Sequence, residues 1–204
     1  NKIYCLVRAI SEEHAIIRLK HVFDLHGDEF DSQKIIPVLG NIGEHDFSQV
    51  LFANKMIQDT NIIVHSAANT SFSKIYDKIV EQVNISGVSE LIKWSLSLPA
   101  LHTFMYVGTA TICGKEATGR LVKEEESPNK KVHHVVKYTY TKMMGEILLD
   151  EHLPKEKTLI VRPSIIMGDS RDWLPRSYVI LWAIETANKL GLVPVNAHSP
   201  LDVI

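Results

Sequence analysis

Apolar residues follow two rhythms along this chain. Short, nearly unbroken apolar runs stand at residues 3–7, 35–39, 61–65, 103–107 and 158–162. Runs of that length between polar or turn-forming stretches predict strands, and the continuous run at 3–7 predicts one buried on both faces. Between them apolar positions recur every three or four residues, the spacing of one helix face. Ser11 opens the first such stretch, with Glu12 and Glu13 in its first turn and Ala15, Ile16, Leu19, Val22 and Phe23 as its stripe. Further helices are predicted at 47–53, at 74–97 with Gly87 inside, from 138 to about 151, and at 178–190, stopped by Gly191. The charged stretch 114–132, with Gly119 and Pro128, reads as a surface loop. Strands alternating with helices predict an α/β fold: a doubly wound, mostly parallel sheet in a single domain, residues 1–204. Ligands of such sheets lie at the carboxyl ends of the strands. Arg8, Ala67, Thr109 and Pro163 each follow a strand end and so share that edge.

Composition narrows the function classes. The apolar fraction of 45% is that of a globular chain. Net charge is −2 with both signs interspersed, which leaves no basic footprint for nucleic acid or an anionic membrane. No apolar run approaches the roughly 20 residues of a membrane-spanning helix. The two cysteines, Cys5 and Cys113, lie in apolar stretches, which points to a reducing, cytoplasmic compartment rather than a disulfide scaffold. No metal site is predicted, since the adjacent His133 and His134 point apart and no His-x-x-x-His pair has an acidic partner.

The candidate chemistry centres on Tyr138-Thr139-Tyr140-Thr141-Lys142. Four residues apart on a helix, Tyr138 and Lys142 share a face. The ammonium is expected to pull the phenol pKa down, poising Tyr138 for proton transfer near neutral pH. The same spacing also occurs on helix faces that do no more than meet solvent. Thr109, directly after the fourth strand, could donate to a substrate carbonyl oxygen or cap a turn. Asn84 stands mid-helix, where asparagine is a poor helix former. It is either a buried amide bridging backbone and water or a surface polar group.

Together Asn84, Thr109, Tyr138 and Lys142 resemble, in order and spacing, the catalytic tetrad of the short-chain dehydrogenases/reductases. Thr109 to Gly114 is similar to the hydroxyl-x-x-x-x-Gly stretch of the extended branch, and Arg162 to Gly168 to its nicotinamide-facing segment. Cys5-Leu6-Val7-Arg8-Ala9 with Arg18-Leu19, His65-Ser66-Ala67-Ala68-Asn69 and Asn84-Ile85-Ser86-Gly87 resemble the thioester reductase domains and fatty acyl-CoA reductases. The resemblance covers nearly the whole chain. It implies a Rossmann-like fold, NADP(H) as cofactor, and an acyl thioester on CoA or on a carrier protein's phosphopantetheine arm as substrate. It implies cofactor contacts from Arg8, Arg18, Asn41, Ser66, Ala67, Ala68, Pro163, Ser164, Ile165 and Ile166. It implies that Lys142 holds the nicotinamide ribose and that Asn84 supports the lysine through water.

Arg8 carries a physical reading beside that resemblance. NAD-binding folds place an acid after the second strand to hold the ribose 2′-hydroxyl. Here Arg8 stands there, and a guanidinium fork suits the 2′-phosphate of NADP. The chain departs from the family in three places. It has no glycine-rich phosphate turn, and its first strand aligns with the family's second. It stops at Ile204, where the family continues into a substrate region. It has Gly40-Asn41 where Gly-Asp is usual. A longer polypeptide is therefore expected, with the strands at 3–7 and 61–65 two strand spacings apart rather than paired. The reading is an NADPH-dependent thioester reductase that releases an aldehyde or alcohol. The alternatives are an NAD-dependent sugar-nucleotide epimerase or dehydratase, which predicts an acid at position 8, and a non-catalytic nucleotide-binding regulatory protein.

Overall fold

The computed structural model describes residues 1–166, 168–169, 174–175 and 178–191. They form two compact units, Asn1–Val161 and Arg162–Ile204.

The first unit runs β1 (Ile3–Val7), α1 (Glu12–His26), β2 (Ile35–Leu39), α2 (Phe47–Ala53), β3 (Ile62–His65), α3 (Asp77–Glu81), α4 (Gly87–Leu96), β4 (Thr103–Val107), α5 (Lys137–His152) and β5 (Thr158–Val161). Local signals act where the sequence places them. The Ser11 side chain accepts from the His14 amide at 3.2 Å and so caps α1. That helix continues to His26, one turn beyond its apolar stripe.

All pairings in this unit are parallel. β1 lies beside β2, and β3, β4 and β5 follow in that order. Among the described residues no ladder joins β1 to β3, so the two are not hydrogen-bonded neighbours. The expectation that β1 is buried on both faces does not hold. Ile3 and Leu6 are 59% and 39% exposed, because β1 has a strand partner on one side alone among the described residues.

The core lies between the β3–β4–β5 sheet and its helices. Ile63 and Phe104 pack against Val88, Leu91 and Ile92 of α4 and Leu149 of α5. Each fully buried aliphatic or aromatic side chain contributes on the order of 2 kcal/mol. On the opposite face Val64, Met105 and Leu159 stand in register, with Val64 and Leu159 exposed. A second cluster joins Ile112 and Cys113, from the turn after β4, to Met143 and Ile147 of α5. It clamps the start of the 114–132 segment to the helix that opens at Lys137. The segment is not all loop: short helical turns within Ala110–Ala117, broken by a kink at Gly114, reach into its beginning.

The second unit holds a two-stranded antiparallel ribbon, β6 (Gly168–Asp169) with β7 (Leu174–Pro175), and the helix α6 (Tyr178–Leu190). No helix of the described residues is long and apolar enough to cross a membrane.

Candidate active site

The four candidates come from three elements: Asn84 from the helical run 77–96, Thr109 from the turn after β4, and Tyr138 and Lys142 from α5. Asn84 enters from the helical run 77–96. This run is not one regular helix: between α3 and α4 it widens into a π-turn, Gln82–Ser86. Asn84 is 1% exposed there. Its amide oxygen accepts from the Asn69 amide at 2.7 Å, and its amide nitrogen donates to the Asn69 carbonyl at 2.9 Å and to Thr141 Oγ1 at 2.9 Å. The side chain therefore spans the loop after β3 and the helix α5. Wide turns of this kind recur at functional positions, and a poor α-helix former at the wide turn explains the placement.

Helix α5 supplies Tyr138 and Lys142. Lys142 is 2% exposed, and its Nζ stands 4.2 Å from the centre of the Tyr106 ring on β4. Such a cation over an aromatic face is stabilising, more so when desolvated. Tyr106 in turn donates from its hydroxyl to the Lys142 carbonyl at 3.2 Å. Burial lowers the Lys142 pKa to about 8, and the charge of Glu146, one turn further along α5, works against that fall. His65, which ends β3, stacks on Tyr106 with ring centres 5.7 Å apart. Burial first, and the nearby Lys142 charge second, lower its pKa to about 4, so it is neutral at ordinary pH.

Tyr138 differs from expectation in its electrostatics. Its pKa is raised by burial, not lowered. The ammonium one turn away is turned onto Tyr106, and desolvation of the phenolate decides the direction. The ring of Phe72 lies against Tyr138 with centres 5.9 Å apart. Thr109 caps the turn after β4: its Oγ1 accepts from the Thr111 amide at 3.3 Å and lies 3.0 Å from Thr111 Oγ1. A hydroxyl that accepts through a lone pair keeps its own proton for another acceptor.

The remaining candidates stand on other stretches of the chain. Arg8 and Arg18 meet at the end of β1, where Arg18 donates to the Arg8 carbonyl. Both side chains are exposed. Asn41 is occupied locally, accepting from the Gly43 amide at 3.1 Å and donating to Glu44 at 3.2 Å. The loop it shapes is tied to the Asn84 helix, since Gln82 donates to the Gly43 carbonyl. Ser66 and Ala67 are exposed directly after β3, and Ala68 is half-buried. Pro163, Ser164, Ile165 and Ile166 open the second unit. Met167, within the segment likened to the nicotinamide-facing stretch, lies outside the described residues, as do 201–204.

Sequence reasoning missed Thr141, Tyr106, His65 and Glu146. Glu146 had a signal: Tyr138, Lys142 and Glu146 repeat every four residues along one helix.

The family model described as male sterility protein, an NAD-binding family, matches residues 1–203. The chain belongs to this family. Among male sterility protein relatives, it is 26% identical to fatty acyl-CoA reductase 2, chloroplastic, of Arabidopsis thaliana, over 86% of this chain and 38% of that protein. It is also 26% identical to a linear gramicidin synthase of Brevibacillus parabrevis, over 89% of this chain and 4% of that protein. The chain thus spans well under half the length of these curated relatives. In structure it is similar to the terminal R domain of the myxalamid PKS-NRPS biosynthetic pathway, with a TM-score of 0.77 and 20% identity over 94% of this chain and 50% of that one. The fold is therefore that of the extended short-chain dehydrogenases/reductases, and its cofactor class is a nicotinamide dinucleotide.

Proposed function

We propose that this chain is the nucleotide-binding part of an NADPH-dependent reductase acting on an acyl thioester. One observation carries the reading: a half-buried tyrosine and a buried lysine lie one turn apart on α5, which packs on the end of β4 beside Thr109. Membership of a family whose relatives include fatty acyl-CoA reductases supports the choice of substrate.

The donor set suits a phosphorylated dinucleotide. The paired Arg8 and Arg18 suit a 2′-phosphate, because a planar guanidinium matches phosphate oxygens with two parallel donors. Ser66, Ala67 and Ala68 leave the end of β3 free of bulk, and in this reading Lys142 donates to the ribose hydroxyls. When bound, NADPH supplies the hydride.

The chain's own residues do the rest. Thr109 and Tyr138 donate to the thioester carbonyl oxygen as negative charge grows there, which is where a fixed donor lowers the barrier most. The raised pKa of Tyr138 keeps its proton in place up to high pH, as a donor requires. Lys142 holds the ribose and replenishes the tyrosine's proton. Asn84 fixes the loop after β3 against α5. The tetrahedral adduct of substrate then loses the thiol to give an aldehyde. One hydride and one proton are consumed, with the thiol of CoA or of the carrier arm released. A cytoplasmic, reducing setting belongs to this reading and is supported by two free cysteines, Cys5 and Cys113.

The test is a stopped-flow or steady-state assay of NADPH consumption by the natural polypeptide, with a long-chain acyl-CoA and with an acyl carrier protein. Thioester-dependent oxidation that disappears in Tyr138→Phe supports the reading. Absence of turnover with every acyl thioester overturns it.

A further inference from the structure

Glu146 has no part in the reaction just described, yet it is 0% exposed. A carboxylate removed from water costs several kcal/mol before compensation, so its burial calls for an account. Its position is set by two notches cut into facing elements. A Cβ at Gly108, just past β4, would stand 2.5 Å from Glu146 Oε1. A Cβ at Gly145 on α5 would collide with the Tyr106 hydroxyl. Glycine at both places lets the carboxylate lie against the backbone that leads into Thr109, while the Tyr106 hydroxyl reaches the Lys142 carbonyl at 3.2 Å.

We propose that Glu146 is a positioning residue for the reduction, keeping the Lys142 ammonium charged in its buried seat and clasping α5 to the Gly108–Thr109 turn. The proposal rests on the thioester-reductase reading for its effect on turnover, and on the one-turn spacing and shared burial of the two side chains on α5 for its effect on Lys142. The groups that face Lys142 are few. From β3 comes His65, neutral at working pH. From β4 comes Tyr106, whose pKa burial pushes far up, so it carries no charge. From α5 itself comes Glu146, one turn along. Burial drives the lysine toward neutrality, and the Glu146 charge opposes it. A neutral Lys142 loses one donor and its ability to pass a proton to Tyr138.

The test compares the wild-type protein with Glu146→Gln, which keeps the shape and removes the charge. Two readouts are taken from pH 6 to 10. The first is the chemical shift of the Lys142 side chain in isotope-labelled protein, followed by NMR, which reports its pKa without reagent access and whether or not any thioester is reduced. The second is kcat/KM with NADPH and an acyl-CoA. In the wild type the titration midpoint is expected near pH 8. In Glu146→Gln it falls by about one pH unit, in line with the shift that one opposite charge produces. The alkaline limb of kcat/KM moves with it, so turnover is about tenfold lower at pH 8.5 and close to wild type at pH 6. Glu146→Asp, which keeps the charge one methylene further back, moves both by less. An unmoved midpoint in Glu146→Gln, or a loss of turnover equal at all pH values, overturns the proposal. If Glu146→Gln does not fold, Glu146→Asp and the wild-type midpoint decide: a wild-type midpoint near 10.5, or an Asp variant identical to wild type in both readouts, overturns it. A wild-type protein that reduces no thioester refutes the functional reading alone, and the Lys142 titration midpoints still judge Glu146.

Discussion

Replacing Asn84 by alanine removes a side chain that makes three hydrogen bonds from a position 1% exposed. Each such bond contributes about 1 kcal/mol net, and buried groups left without a partner cost more than that. Thr141 Oγ1 keeps a second partner, donating to the Tyr138 carbonyl at 2.8 Å, so its loss is the smallest of the three. The two Asn69 groups sit in a half-buried loop and recover part of their loss from water. The sum is about 3 kcal/mol. For a domain of this size that lowers Tm by roughly 6 to 12 °C. The assay is urea unfolding followed by intrinsic fluorescence, with the slope m compared between variants so that a changed unfolded state is not read as lost stability. Asn84→Asp keeps the acceptor for the Asn69 amide but buries a carboxylate against the Asn69 carbonyl, so it is expected to be at least as destabilised as alanine. Hydrogen exchange at residues 66–71 should quicken in Asn84→Ala, since that loop loses its tie to α5. A destabilisation under about 1 kcal/mol, with unchanged exchange in the loop, refutes the view that Asn84 is a structural rivet between β3 and α5.

The other expectations are shorter. Arg8→Ala should raise the Kd for NADPH about tenfold and leave that for NADH nearly unchanged, because the lost charge-assisted bond is made to the 2′-phosphate alone; equal losses for both cofactors in a fluorescence titration sink the assignment. Tyr138→Phe should lower kcat by about a hundredfold or more while NADPH binding stays within a few-fold; near-normal turnover reassigns the donor, with Tyr140 the first alternative. His65 should make the protein acid-labile. Its folded pKa of about 4 lies below the ordinary 6.5, so the unfolded chain binds the extra proton between those values. Stability from this group is complete above pH 6.5 and is lost as pH falls toward 4, by about 3 kcal/mol. In His65→Gln the dependence of stability on pH across that window should flatten; an unchanged slope means that another group titrates there.

The strands, and most helices, were legible because apolar runs and periodic stripes report burial directly. The predicted 47–53, 103–107 and 178–190 coincide with α2, β4 and α6. The one-turn spacing of Tyr138 and Lys142 on α5 was legible, but the electrostatics of the pair were not. Two side chains four apart share a helix face, yet the face alone does not say which way a lysine leans. Tyr106 draws Lys142 away from Tyr138, and that pairing depends on how far α5 slides along β4. The slide is set by Gly108 and Gly145, whose importance no local pattern announces. Asn84 was ambiguous for a related reason: whether a mid-helix asparagine is buried depends on what crosses it, here Asn69 and Thr141 from distant stretches. Exposure along β1 was misread because a run of apolar residues says nothing about how many neighbours its strand has.

The wide turn at Gln82–Ser86 also bears on how this part of the chain tolerates changes of length. Val80, Asn84 and Val88 are all essentially buried and stand at strict intervals of four. In a helix of about 3.6 residues per turn, positions four apart drift sideways by about 40° at each step. The π-turn absorbs one surplus residue and holds the three closer to a single line than an unbroken α-helix does. It is a phase corrector, and so a place where the length of the helix is counted. Deleting the surplus residue should restore an ordinary helix with α3 and α4 still in phase but without the wide turn that seats Asn84, whereas a deletion on either side of it turns one flank by about 100° against the other, carrying Glu81 away from Lys137, its ion-pair partner at 2.8 Å. A deletion in the exposed stretch around Gly119 changes no such phase. Chimaeras between this chain and its relatives should therefore be joined in that stretch and kept clear of residues 80–88.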